Sequence, residues 1–532
     1  MSPELDLLIT GADVVDGSGA PSARADVGVR AGRIVVLPPD SGAVATEVLT
    51  AHGRIVMPGI IDVHTHSDLL GGADPEREEL RRAALLQGVT TEICGNCGTS
   101  AFPALPERAG DVAELVSATF GSPAAAYPDL PGYLAAQEGH ARANHLVTLV
   151  GHGTLRAGVL GFADRPASRA EVATMSSLLD QALRDGAAGL SSGLIYPPGI
   201  HADTSEIVAL ARVVAAHGKP YVTHLRDEMS RVEDALEEAL SIAHASGASL
   251  QVSHHKTAGR AAWGTTTRTL KRLTAERARG LDVLCDVYPY TAGSTVLHAM
   301  LPPWITSGGV GAMLATLGED GVRGRIRADI ASGLPGWENT VGNGGWDLIV
   351  VASAARTPQL EGVSVAEAAA SAGTDPVDLA CDLLLANDGE VTIISRSMHE
   401  DDVRRVVASP LSMIASDGVP KLGRPHPRWA GTFARTLGRY VRHEEVLTLE
   451  DAVHKMTGMP AGRFGLRGRG VIRDGATADL VVLDPGRVRD TATYDDPLAR
   501  PKGIRAVVVD GQVVVDDGDV RDERPGRALR IR

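Results

Sequence analysis

The chain has 532 residues, 66 acidic side chains against 52 lysines and arginines, and a formal net charge of -14. That balance, with no basic run long enough for a phosphate-binding stripe, argues against nucleic acid as a partner. No apolar run approaches bilayer length, and residues 1–9 lack both a basic flank and a long apolar core, so neither a membrane partner nor a leader is expected.

Four cysteines (Cys94, Cys97, Cys285 and Cys381) are too few for a disulfide framework in so long a chain. The expectation is a soluble, cytoplasmic protein of two or three domains.

From the N-terminus, residues 6–11, 25–32 and 33–37 read as short strands punctuated by glycine. The stretches 478–484 and 504–515 behave the same way near the C-terminus. Neither end can build a core alone. The economical expectation is one small β-domain from 1–57 together with 465–532, and a catalytic barrel over 58–464.

Between the ends, apolar strand patterns alternate with helical ones. Strand candidates lie at 60–64, 88–94, 145–152, 187–192, 221–225, 249–254, 283–288 and 412–417. The clearest helix covers about 170–184, opened by Ser168 with Glu171 three positions on, a capping-box pair. Eight parallel βα units predict an α/β fold, a (β/α)8 TIM-like barrel. The seventh and eighth candidates are too far apart for an ordinary connection, so an inserted subdomain is expected at about 300–405, carrying Trp304, Trp337 and Trp346.

Polar residues gather at the C-terminal ends of these strands, where barrel enzymes keep their sites. The first ends in His64 and His66, which share a face because strand side chains alternate. Two converging imidazoles at the end of a buried strand are costly unless something binds them, and a divalent metal does so. Cys94-Gly-Asn-Cys97 follows the second strand, His224 ends the fifth, His254, His255 and Lys256 the sixth, and Asp417 the eighth.

The cysteine pair sits in a glycine-rich loop after a strand, with no second pair at similar spacing. One thiolate ligand therefore fits better than a redox dithiol or a structural zinc site. Many binuclear barrel hydrolases bridge their metals with a carbamylated lysine on strand four. Here no lysine precedes Lys219, which excludes that bridge. Cys97 is the best-placed substitute, and one thiolate with two imidazoles makes a zinc set with a position left for water. Asp417 would then accept the proton of that water and pass it to a leaving group; the bland alternative is a capping aspartate in a Ser-Asp-Gly turn.

Motifs along nearly the whole chain resemble the D-aminoacylases (N-acyl-D-amino-acid deacylases) of the amidohydrolase superfamily. They include GIIDVHTHSD, GVTTEICGNCGTS, GHGTLR, SSGLIYPPG, YVTHLRDE, VSHHKTAGR, DVYPYTAGST, ASDGVP, RPHPRWAGTF and KMTGMPAGRFGLRGRG. The resemblance implies hydrolysis of a small-molecule N-acyl-D-amino acid at a tight zinc held by Cys97, His224 and His254. It implies that His64 and His66 can hold a second, weakly bound metal, and that Asp417 is the acid/base. It further places Lys256, Tyr288 and Ser294 at the α-carboxylate, Tyr196 at the scissile carbonyl and Met398 in the side-chain pocket. Some shorter members carry an arginine soon after TAGST, where this chain reads VLHAMLPPW, so neutral or hydrophobic side chains are expected over acidic ones. A cyclic-amide hydrolase of the hydantoinase or dihydroorotase kind, or a scaffold that has lost its chemistry, are the rival readings.

Overall fold

The computed structural model describes residues 5–70, 75–120 and 125–532, so the first four residues of the segment weighed as a leader lie outside the described residues. Eight parallel segments make the centre of the molecule. They are β1 (Ile60–Asp62), β2 (Val89–Cys94), β3 (His145–Thr148, continued by Val150–Gly151), β4 (Leu190–Gly193), β5 (Pro220–His224), β6 (Ser249–Val252), β7 (Val283–Val287) and β8 (Ser412–Ile414).

All residues of these strands but Ser249 are buried, because helices cover their outer face while side chains fill the interior. That is why most of them read in the sequence as predominantly apolar runs. The two pieces of β3 bridge the ring: the first pairs with β2 and the second with β4. Parallel pairing then runs through β4, β5, β6, β7 and β8.

The ring closes between β8 and β1 in an unusual place. The link is a bridge between Thr65 and Gly418, flanked by Asp417 N–H donating to His64 O (2.8 Å) and His66 N–H donating to Gly418 O (2.9 Å). The barrel is therefore closed by the backbone of the polar residues at its mouth.

Several strands stop earlier than the sequence patterns suggest. His64 and His66 lie past β1, His254 past β6 and Asp417 past β8. His254 (φ 34°) and Asp417 (φ 49°) adopt left-handed backbone, which cannot continue a β-ladder. The histidine pair still converges, because the Thr65 bridge keeps the backbone locally extended between them.

The helix at Arg169–Asp185 has the capping box its sequence foretells: Glu171 N–H donates to Ser168 Oγ, and Ser168 N–H donates to the Glu171 carboxylate (2.7 Å). Gly186 closes it in a left-handed conformation, φ 112°.

Both chain ends contribute to one nine-stranded sheet, joined where Leu480–Leu483 pairs antiparallel with Ile55–Pro58. Its own core holds Leu7, Ile9, Val27, Val56, Leu480 and Val508. Between β7 and β8, the segments Gly293–Val296, Ile349–Ser353 and Thr392–Ser395 form a three-stranded antiparallel sheet. A separate apolar cluster including Leu297, Ile305, Met313, Val351 and Ile393 supports it. The first of these strands starts only a few residues beyond β7, so the insert leans over the barrel mouth. Among the described residues no helix is long and apolar enough to cross a membrane.

Candidate active site

Cys97 sits at the centre of the mouth. Its Sγ lies 3.3 Å from His64 Nε2, 3.8 Å from His224 Nδ1 and 3.5 Å from His254 Nε2. Two groups of candidate ligand atoms result, each within 4.8 Å: Cys97 with His224 and His254, and Cys97 with His64, His66 and Asp417. The thiol belongs to both.

The loop that carries Cys97 depends on small neighbours. Cys97 itself has φ 50° and Gly98 φ 78°. A Cβ on Gly193, at the end of β4, would lie 2.2 Å from the Cys97 carbonyl oxygen. Strand four thus contributes room for the cysteine loop rather than a ligand.

Asp417 faces both sides of this cluster. Its Oδ1 is 3.4 Å from His64 Nε2 and 3.4 Å from His66 Nε2, and its Oδ2 is 2.8 Å from Arg428 Nη1. Beyond the metal-type ligands, one cavity is lined by His66, Cys97, Tyr196, His224, His254, Lys256, Tyr288, Ser294 and Asp417. His64 lies beneath it, fully buried. Met398 does not reach this cavity. It lines a narrower adjoining one with Lys256, Tyr288 and Val403, and packs against Tyr288 and Tyr290.

Residues 47–515 match the model of the amidohydrolase family. The chain belongs to that family. It is 38% identical to an N-acyl-D-glutamate deacylase of Alcaligenes xylosoxydans xylosoxydans, covering 100% of this chain and 97% of the relative. It is 37% identical to a D-aminoacylase of the same organism, over 99% of this chain and 98% of the relative. Among solved structures, N-acyl-D-glutamate deacylase from Bordetella bronchiseptica, complexed with zinc and a phosphonate mimic of the tetrahedral intermediate, superposes with TM-score 0.84 at 36% identity, covering 99% of each chain.

Four residues of this amidohydrolase's mouth went unassigned in the sequence. Glu228 Oε1 lies 3.0 Å from His254 Nδ1, and its Oε2 lies 2.5 Å from Lys256 Nζ. Asp286 accepts from His254 N–H (2.7 Å) and Gln251 Nε2 (2.8 Å) and lies 3.3 Å from His64 Nδ1. These carboxylates orient the rings so that the opposite nitrogens of His254 and His64 face Cys97. Arg428 pairs with Asp417 and stacks 4.5 Å from the centre of the Tyr288 ring. Glu338 enters the cavity from the insert. Glu228, Asp286 and Arg428 lie within the motifs YVTHLRDE, DVYPYTAGST and RPHPRWAGTF, the available signal. Glu338 has none, because only the tertiary path of the insert brings it here.

The electrostatics of this amidohydrolase centre on Cys97. Burial opposes ionisation of its thiol, but His64 and His254, with hydrogen bonds from His224 and His254, outweigh it and hold the thiol well below its usual range. Burial likewise opposes charge on His64, yet Cys97, Asp417 and Asp286 raise it well above normal. Burial and Lys256 oppose protonation of His254, and Glu228, Asp417 and Cys97 overcome them, lifting it to about 9. Burial also works against Asp417 ionising, and Arg428, His64 and His254 reverse this and hold it well below the carboxylate range. A buried thiolate and carboxylate therefore demand positive charge between them, which a metal ion supplies without protonating the imidazoles.

The other thiols behave oppositely. Burial raises Cys94 well above its normal value, Cys285 to about 12 and Cys381 to about 11. In chelator-stripped protein at pH 7, iodoacetamide is expected to alkylate Cys97 before the other three, read by peptide mass. Labelling of Cys94 at the same rate would contradict a thiolate at Cys97.

Proposed function

We propose that the protein is a zinc-dependent hydrolase of N-acyl-D-amino acids, releasing a carboxylate and a free D-amino acid. The observation that carries the reading is the Cys97–His224–His254 cluster with Asp417 beside it, in a chain related over its full length to deacylases of this substrate class. One sulfur with imidazole nitrogens suits zinc and not magnesium or calcium, which take oxygen. Cys97, His224 and His254 would hold the tight ion, while His64 and His66 would line a second, weaker position sharing Cys97. Zinc there supplies Lewis acidity: it polarises the acyl carbonyl and acidifies the attacking water.

The chain's own residues do the rest. Asp417, kept ionised by Arg428 and the histidines, takes the water's proton as the new C–O bond forms. It then returns that proton to the amine nitrogen as the C–N bond breaks. A carboxylate held so low is a weak base towards bulk water, so it works only on strongly acidified water. Tyr196 stays a phenol, because burial, then the charge of Cys97, pushes its pKa well above the normal range. It stacks edge-on against His224 and hydrogen-bonds Thr295 (3.0 Å), and in this reading it would donate to the carbonyl oxygen.

The α-carboxylate would sit between Lys256, Ser294 and Tyr288, whose buried hydroxyl has no protein partner among the described residues. Arg428, stacked on Tyr288, adds positive charge on the same side. Neutral or hydrophobic side chains fit best, because Lys256 is the one lysine or arginine among the described lining residues and Glu228 already holds it. The two relatives are almost equally similar, one named an N-acyl-D-glutamate deacylase and the other a D-aminoacylase, so the preference is read from the cavity's own charges. Met398 would border the side-chain end only through Tyr288. Four free cysteines and a thiolate ligand suit a reducing compartment, the cytoplasm.

A cyclic-amide hydrolase is disfavoured because β4 reads Leu-Ser-Ser-Gly and carries no lysine to bridge two metals. The direct test is a panel of N-acetyl-D- and N-acetyl-L-amino acids with detection of the free amine. Turnover of the D series is expected, and preference for the L series or for hydantoins overturns the reading. Asp417→Asn is expected to keep its zinc and to lose about 10²–10⁴-fold in kcat. Near-normal turnover in that variant removes Asp417 from the mechanism.

A further inference from the structure

We propose that Glu338 is a specificity-determining residue that selects against a second carboxylate on the substrate. The inference rests on the deacylase reading above and names the side-chain class that the same site admits.

The insert delivers Glu338 to the cavity on a braced turn. Trp337 beside it is buried and accepts a hydrogen bond from Arg231 Nη2 (3.3 Å) through its carbonyl. Asn339 on the other side caps the helix Thr340–Gly344, accepting from Gly342 N–H (2.9 Å), and ties back to Ile330 O (2.7 Å). The Glu338 carboxylate accepts from the backbone N–H of Glu228 (2.5 Å). It is thereby fixed next to the residue that holds both His254 and Lys256.

The cavity's charges are lopsided. Its described lining carries three carboxylates, Glu228, Glu338 and Asp417, and one non-histidine cation, Lys256, bound to Glu228. Other residues lining the cavity, Met229, Ala258, Thr340, Thr392, Ser395 and Ser397, are neutral. The substrate's own α-carboxylate takes what positive charge the Lys256 side offers. A side-chain carboxylate near Glu338 would then meet like charge, with no lysine or arginine of the described lining left free to pair with it. Glutamine and other neutral side chains carry no such cost.

The groups around Glu338 sharpen the expectation. Glu228 and Asp227 face it from the loop after β5, Lys256 from the loop after β6, and Arg231 stands 3.4 Å from Asp227. Burial first, then the charges of Glu228 and Asp227, raise its carboxyl to about 8. Below that pH a proton on Glu338 softens the conflict with an acidic substrate, and above it the conflict is complete. The side chain of N-acetyl-D-glutamate stays ionised throughout this range, so any change with pH belongs to the enzyme.

The test compares kcat/KM for two isosteric substrates, N-acetyl-D-glutamine and N-acetyl-D-glutamate, in the zinc-loaded enzyme at pH 9. The wild type is expected to favour glutamine. In Glu338→Gln that preference should fall at least tenfold, with zinc content kept. Should Glu338→Gln fail to fold, the wild type alone decides, its preference for glutamine rising at least tenfold between pH 6.5 and 9. An unchanged ratio in a folded Glu338→Gln, or a flat wild-type ratio where the variant is lost, overturns the proposal. Failure of the wild type to hydrolyse any N-acyl-D-amino acid instead overturns the deacylase reading beneath it.

Discussion

A single thiol, shared by two groups of ligands, sets the conditions that the rest of the barrel mouth meets. Cys97 is buried among His64, His224 and His254, and its negative charge can persist there only against concentrated positive charge. To bring the sulfur to that point, the loop after β2 must turn sharply and pass close to β4. Gly98 takes a left-handed conformation, and Gly193 leaves space that a methyl group would fill. Cys97, His254 and Asp417 are themselves left-handed, which costs energy in non-glycine residues. Among the described residues the other non-glycine positions of this kind are Ala31, Asp40, Asp388, Glu445, Asp510 and Asp517, outside the cluster. Strain held at three neighbouring polar residues is consistent with a site shaped for binding rather than for the ladder that carries it.

Around that thiol a layer of buried ion pairs fixes orientation. Glu228 and Asp286 turn two imidazoles, Arg428 fixes Asp417, and the β8–β1 closure runs through the backbone of His64, His66 and Asp417. Ring closure and site geometry are therefore the same set of contacts. The insert adds Ser294, Thr295 and Glu338 to the cavity from above, while Tyr196, Lys256 and Tyr288 line it from the barrel's own loops.

Much of this was legible in the sequence, for physical reasons. Strands buried on both faces are largely apolar, so most stand out as runs, although β2 (Val-Thr-Thr-Glu-Ile-Cys) and β4 (Leu-Ser-Ser-Gly) carry buried polar side chains. Helix 169–185 declared itself through a capping box. The polar residues at strand ends stood out because they interrupt those runs. The strand limits are overdrawn at His254 and Asp417, because propensity does not report a left-handed residue, and at His64, where the ladder already ends at Asp62. Met398 was assigned to the pocket from resemblance, but it sits behind Tyr288. Glu228 and Asp286 are ordinary acidic residues by composition; only pairing between β5, β6 and β7 sets them against the histidines. Glu338 is more than a hundred residues from Glu228 in the chain, and no local pattern could have joined them.

X-ray absorption at the zinc edge of the loaded protein tests the shared thiolate most directly. The structure predicts a first shell with one sulfur at about 2.3 Å, accompanied by imidazole nitrogens at about 2.0–2.1 Å. A shell of nitrogen and oxygen alone would contradict the central role given to Cys97.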